Sequence, residues 1–413
     1  MRGDVATPIA DPKRVTRLSR SLAERSLGPA TAKYRELGTA GNLMAFNRLA
    51  VLPTHNFRQS RFDAAEILSA ENLGPARHRT RAACASCTIG CEHRYASRDG
   101  GSTRLEYENL FALGPLCGIA DPDLVIEASR LCDELGLDTI SAGATAAFAM
   151  ECRERGLLPD APAFGDGEAL LTLLRDIAHR RGLGARLAEG SRRLAEELGD
   201  ETSRFAPHVK GLELPGYEPR MLHTLALGLA VGTRGADHNK SGAYELDFSD
   251  RVNRLAGDAR SAALSIEPED RAALLDSLIL CKFLRGVFDD FYAEAAELLV
   301  AVTGADFTGT ELRAVARRIV NARKAFNIRE GWHPRDDTLP ARFLEEDLPD
   351  PLAGGGGLTR ERLGGMIRSY NRARGWSDRG YLDAPAWRDL GLPPPERGIP
   401  WKDASSPPSE NRA

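Results

Sequence analysis

An all-α architecture, two helical domains with a few short strands at most, is what this 413-residue sequence predicts. Three observations predict it. Apolar residues recur at helical spacing over long stretches. Capping residues flank those stretches. Period-2 alternation of the kind that marks half-buried strands is nearly missing. The pattern is clearest at Leu124, Ala128, Leu131, Cys132 and Leu135. Asp121 suits the N-cap of that helix, Pro122 its first position and Gly136 the left-handed position past its end. Similar patterns cover Glu168–Leu198, Arg271–Leu299 and Glu311–Ala325. Val209–Leu214 is the one strand candidate, and Pro215, Gly216 and Pro219 close it quickly. Turn formers at both ends of Gly199–Pro219 divide the body near residue 207, giving helical domains over 1–207 and 208–392. Gly354–Gly357 reads as a flexible loop or hinge. From Pro393 the chain holds Pro393-Pro394-Pro395 and Pro407-Pro408 among Ser and Asn, so 393–413 is expected to be a disordered tail.

Composition excludes several classes. Lys and Arg number 55 against 59 Asp and Glu, so 55 − 59 gives a formal charge of −4. A broad nucleic-acid surface would need clustered basic residues, so no nucleic-acid partner is expected. No apolar run reaches the roughly 18 residues that cross a bilayer, so no membrane span is expected. Met1–Arg20 carries charges throughout and no apolar core, unlike a secretory signal. A cytoplasmic, reducing location is the default, where the seven cysteines serve as ligands, reactive thiols or core residues rather than disulfides.

The segment Cys84-Ala-Ser-Cys87-Thr-Ile-Gly-Cys91 carries the most chemistry. Three thiolates within eight residues can close around one metal centre, and Gly90 gives the backbone freedom to wrap. A [4Fe-4S] cluster usually takes four cysteines, so a remote fourth would be needed from Cys117, Cys132, Cys152 or Cys281. Zinc is the competing reading, with Cys84, Cys87, Cys91 and His93 as a local Cys3His tetrahedron. Cys132 lies on the apolar stripe of its helix and reads as core.

The residues around the triplet resemble a known family. After it come Glu106-Tyr107-Glu108, Leu113-Gly114-Pro115, Asp133-Glu134-Leu135-Gly136-Leu137-Asp138 and Thr139-Ile140-Ser141. Lys210 to Pro215, Tyr217-Glu218-Pro219-Arg220, Arg234-Gly235-Ala236-Asp237-His238 and Asp276 to Phe283 follow. Leu52-Pro53-Thr54 with Asn56-Phe57 precedes them and Arg374-Gly375-Trp376 comes after. In this order the set resembles the tungsten-containing aldehyde:ferredoxin oxidoreductases, over roughly residues 20 to 393.

The resemblance implies a fold and a site. The chain corresponds to the family's two C-terminal helical domains. Cys281 takes the place of the fourth ligand of a [4Fe-4S] cluster with Cys84, Cys87 and Cys91, tying the two domains together. A tungsten (or molybdenum) bispterin is implied, its metal held by dithiolenes rather than by side chains. Asp133 and Asp138 match one pterin-binding motif, and Asp276 to Cys281 the other, except that Ile279 stands where the family has Gly. Glu108 and His238 match the active-site pair. Aldehyde oxidation to a carboxylate needs an activated carbonyl, which His238 can supply by hydrogen bonding. It also needs a proton acceptor, which Glu108 can be if burial raises its pKa. The expected partners are a small aldehyde, ferredoxin or a similar acceptor, and a separate β-rich pterin-binding subunit, because the family's β-rich floor precedes the matching region. The alternative is a non-catalytic [4Fe-4S] electron-transfer or scaffold protein that has lost the pterin.

Overall fold

The computed structural model describes residues 8–77, 80–98, 100–353 and 357–392. Residues 354–356 of the glycine-rich loop and the tail from Pro393 lie outside the described residues. The fold is mainly helical, as predicted, with five strands of two to five residues among the described ones. The helix Pro122–Leu135 forms as its caps dictate: the Asp121 side chain accepts from the Asp123 N–H, and Gly136 closes it at φ +69°.

Three expectations from periodicity are refined. The stretch 168–198 is three helices, Gly167–His179, Leu183–Leu187 and Gly190–Leu198. Left-handed backbone at Arg180, Gly182 and Gly190 interrupts it. The stretch 271–299 is likewise broken: Ile266–Ser277 and Phe291–Thr303 are helical, and the irregular segment between them carries Ile279 and Cys281. Val209–Leu214 is a tight hairpin rather than one strand, His208–Val209 pairing with Leu212–Glu213. Its turn residues Lys210 and Gly211 both have positive φ, as a type I′ turn requires.

A three-stranded antiparallel sheet was not foreseen. Thr80–Ala82 pairs with Glu92–Ala96, which pairs with Ser102–Arg104. The cysteine triplet occupies the loop between the first two strands, held at its base by the Ala82–Glu92 pair.

The largest apolar core runs from Ala40 through Tyr244 and takes in Leu339, Phe343 and Leu363. At its polar heart, buried Arg342 donates to both oxygens of buried Glu151 at 2.6 Å, and Asn56 donates to Glu151 as well. The helix His223–Val231 is buried on every side, and Asp247 caps it in trans by accepting from Thr224 and Leu225 N–H. Burial raises the Asp247 carboxyl to about 7.

His223, fully buried, makes no side-chain hydrogen bond, and burial lowers its pKa to about 4. The unfolded chain takes up a proton near pH 6.5 that the folded site refuses. Stability is therefore lost as pH falls from about 6.5 to about 4, by roughly 3 kcal/mol for this group. His223→Leu is expected to remove that loss. Urea unfolding of both proteins at pH 7 and pH 4.5 checks it, and parallel stability changes would refute it.

Candidate functional site

Glu108 stands in the first turn of the short helix Tyr107–Leu113. Its Oε2 accepts from the Gly216 N–H at 2.8 Å, while the Tyr107 hydroxyl donates to the Gly216 carbonyl. A Cβ at residue 216 would come within 2.7 Å of the Tyr107 ring and 2.8 Å of Phe111, so only glycine lets this peptide sit against the helix. Glu108 Oε1 is buried and makes no hydrogen bond. Burial pushes the carboxyl up to about 8, and nearby Asp138 adds to the rise.

His238 opens the four-residue helix His238–Ser241, which Asp237 caps by accepting from Asn239 and Lys240 N–H. Its Nε2 lies 3.8 Å from Glu108 Oε1, with side-chain exposures of 12% and 20%. Burial, then the positive charge of Lys282, holds the imidazole neutral, well below the ordinary histidine range. The rings of Tyr217 and Tyr244 pack beside it at 5.0 and 5.6 Å. Burial thus favours the neutral form of both groups, a protonated carboxyl facing a neutral imidazole. They line a cavity of about 790 Å³ with Glu106, Asp276, Lys282 and Arg285.

The four candidate thiols come from two separate segments. Cys84 and Cys281 are exposed, and Cys87 and Cys91 are partly buried. Burial raises the Cys91 thiol to about 11, and Glu106, Cys281 and Cys87 are close enough to add to it. Burial likewise raises Cys281, with contributions from Cys87 and Cys84. Positive φ at Ser86 and Gly90 bends the triplet loop, and the Ile89 N–H donates to Cys87 Sγ at 3.3 Å. Among the described residues, no three His, Cys, Asp or Glu side chains converge as a single ion would require. His93 is buried in its strand with Nε2 on the Tyr34 carbonyl. Cys117, Cys132 and Cys152 are buried in the core.

The three carboxylate positions are not equivalent. Asp276 lines the cavity, but Lys240 Nζ holds its Oδ2 at 2.5 Å and Arg323 lies 3.8 Å away. Asp138 caps the helix Thr139–Glu154 through the Ser141 N–H, within electrostatic reach of Glu108. Asp133 is exposed and pairs with Arg104 at 3.1 Å. Ile279 has φ +56° and is 92% exposed. Its backbone thus keeps the left-handed form that glycine would favour, at a cost of about 1–2 kcal/mol for a branched residue. Gly216, Tyr217, Tyr244 and Lys282 are parts of the site to which sequence reasoning gave no role.

This helical body brings a shielded carboxyl and a neutral imidazole together on one cavity, with Leu280 and Lys282, the neighbours of Cys281, in its wall. The chain belongs to the aldehyde ferredoxin oxidoreductase family, whose domains 2 and 3 match residues 17–392. It is 36% identical over 410 residues to the tungsten-containing aldehyde ferredoxin oxidoreductase of Pyrococcus furiosus, covering 95% of this chain and 66% of that protein. The Thermococcus kodakarensis enzyme of the same name is 35% identical over 410 residues, with the same coverage. The aliphatic sulfonate oxidoreductase WOR-like subunit of Pyrococcus furiosus is 27% identical, covering 89% of this chain and 59% of that subunit. The fold is shared with the active-site complex BamBC of benzoyl coenzyme A reductase, at TM-score 0.74 and 20% identity, over 95% of this chain and 67% of that one. The chain thus spans just under two thirds of the curated relatives it matches, the share being 66%.

Proposed function

We propose that this chain is the helical, cluster-bearing part of a tungsten (or molybdenum) bispterin oxidoreductase that converts an aldehyde to a carboxylate. Electrons would leave through a [4Fe-4S] cluster on Cys84, Cys87, Cys91 and Cys281 to ferredoxin or a similar acceptor. One observation carries it: Glu108 and His238, 130 residues apart in sequence, meet across 3.8 Å on a cavity whose wall includes Leu280 and Lys282, the neighbours of Cys281. The bispterin metal, when bound, supplies the oxidising centre. Asp276, on the cavity wall, and Asp138, at the N-cap of the helix Thr139–Glu154, would accept from pterin N–H groups. Neutral His238 can donate to the aldehyde oxygen. Glu108, with its pKa near 8, can take the proton from water as the carboxylate forms. The open side of the cavity would be closed by the β-rich body that the relatives' remaining third suggests, on a separate subunit or elsewhere in a longer protein.

The cluster-only reading has one observation in its favour. Asp133 and Asp276, both implied pterin ligands, are already paired with Arg104 and Lys240. Metal analysis of anaerobically purified protein separates the readings. About four Fe with W or Mo supports the bispterin enzyme, and about four Fe alone supports the electron-transfer protein. Zinc alone overturns both. Cys281→Ser is expected to take the iron content from about four to below about one per chain. Full iron retention would remove Cys281 from the ligand set.

A further inference from the structure

The turn that carries His238 is strapped to the segment that carries Cys281. Lys282 follows Cys281, and its Nζ donates to the Asn239 carbonyl at 2.6 Å, one residue past His238. In the opposite sense, Lys240 on the His238 turn reaches back to Asp276 at 2.5 Å. The Lys282 ammonium also lies over the Tyr244 ring, 5.4 Å from its centroid, and that ring packs against His238. The His238 helix has only four residues, so it is too short to hold its own position. Its neighbour segment is itself loosely built, with a left-handed, exposed Ile279 between Asp276 and Cys281. The separation that matters is small. His238 Nε2 and Glu108 Oε1 lie 3.8 Å apart, about an ångström beyond hydrogen-bond distance. Displacements of that size decide catalytic geometry.

We propose that Lys282 is a positioning residue that sets His238 against Glu108 from the Cys281 loop, so that cluster binding at the four thiols orders the His238 turn. This rests on the reading of Cys281 as a cluster ligand. With the fourth thiol ligated, the loop is fixed and Lys282 holds the Asn239 carbonyl in place. Without it, the loop and the histidine turn move together.

The test reads His238 directly rather than turnover. The full chain is reconstituted anaerobically with iron and sulfide, and its iron content is measured. Diethyl pyrocarbonate modification of His238 is then timed at pH 7 by peptide mass spectrometry, with exposed His333 as internal reference. In the wild type, removing the cluster with a chelator is expected to change the His238 rate about fivefold or more, the scale of an ordinary coupling between sites. Lys282→Met is expected to bind the same iron yet label at the cluster-free rate with the cluster present. Lys282→Arg, which can still donate to the carbonyl, is expected to restore most of the wild-type response. A wild-type rate indifferent to the cluster, or a Lys282→Met protein with the wild-type response, overturns the proposal. Failure of the wild type to take up iron overturns the ligand reading, and the coupling with it. A Lys282→Met protein that unfolds, judged by circular dichroism, leaves the wild-type and Lys282→Arg comparisons to decide.

Discussion

Glu108→Gln is expected to lower kcat by about a hundred- to ten-thousand-fold in the cofactor-loaded enzyme, the range for loss of a positioned general base. The substitution is close to isosteric. Its amide oxygen can still accept from the Gly216 N–H, so the helix Tyr107–Leu113 and the cavity wall should stay intact. What disappears is the ionisable group. Burial places the Glu108 carboxyl near 8. The wild-type rate should therefore climb with pH toward that value, as the fraction of carboxylate grows. The glutamine variant should lose that rising limb as well as its rate. A pH profile of kcat/KM on both proteins checks this, with circular dichroism as the fold control. An unchanged profile would take the role of base away from Glu108.

Arg342→Ala should have the largest effect on stability. Arg342 and Glu151 are each 1% exposed, and the pair is bidentate. Truncating the guanidinium leaves a buried carboxylate with only Asn56 on Oε2 and Arg155 on Oε1. Breaking a buried pair from one side costs about 3–5 kcal/mol. Tm should fall by about 5 °C for a chain of this size. The paired change Glu151→Leu with Arg342→Met should recover much of that loss, because it removes both charges and keeps the volume. Thermal unfolding of the three proteins tests the cycle. A double variant as unstable as Arg342→Ala would show that the pair does more than satisfy itself.

Much of the fold was legible where local signals agreed. Asp121, Pro122 and Gly136 mark both ends of their helix because capping chemistry is local. The break at Arg180 was hidden because a left-handed turn there uses arginine rather than glycine. The small sheet was hidden because its strands are three to five residues long and mostly polar, each with an Arg, leaving no apolar alternation to detect. In the site, the spacing of Cys84, Cys87 and Cys91 announces a shared centre by itself. The approach of Cys281 does not, since the irregular segment that presents it interrupts a helical pattern. The meeting of Glu108 with His238 depends on Gly216, whose missing side chain lets one loop press against the Tyr107 helix. No pattern within either segment encodes that approach, and only the resemblance pointed to it.

The pairing of Glu151 with Arg342 also sets a schedule for the ribosome. The two residues are 191 positions apart. At about 5–20 residues per second, the second emerges roughly 10–40 s after the first. During that interval the nascent first half can collapse its apolar core, but Glu151 has only Asn56 and Arg155 for company. Until then the early core must leave Glu151 either hydrated or protonated. Final closure of this body therefore waits until Arg342 has been made.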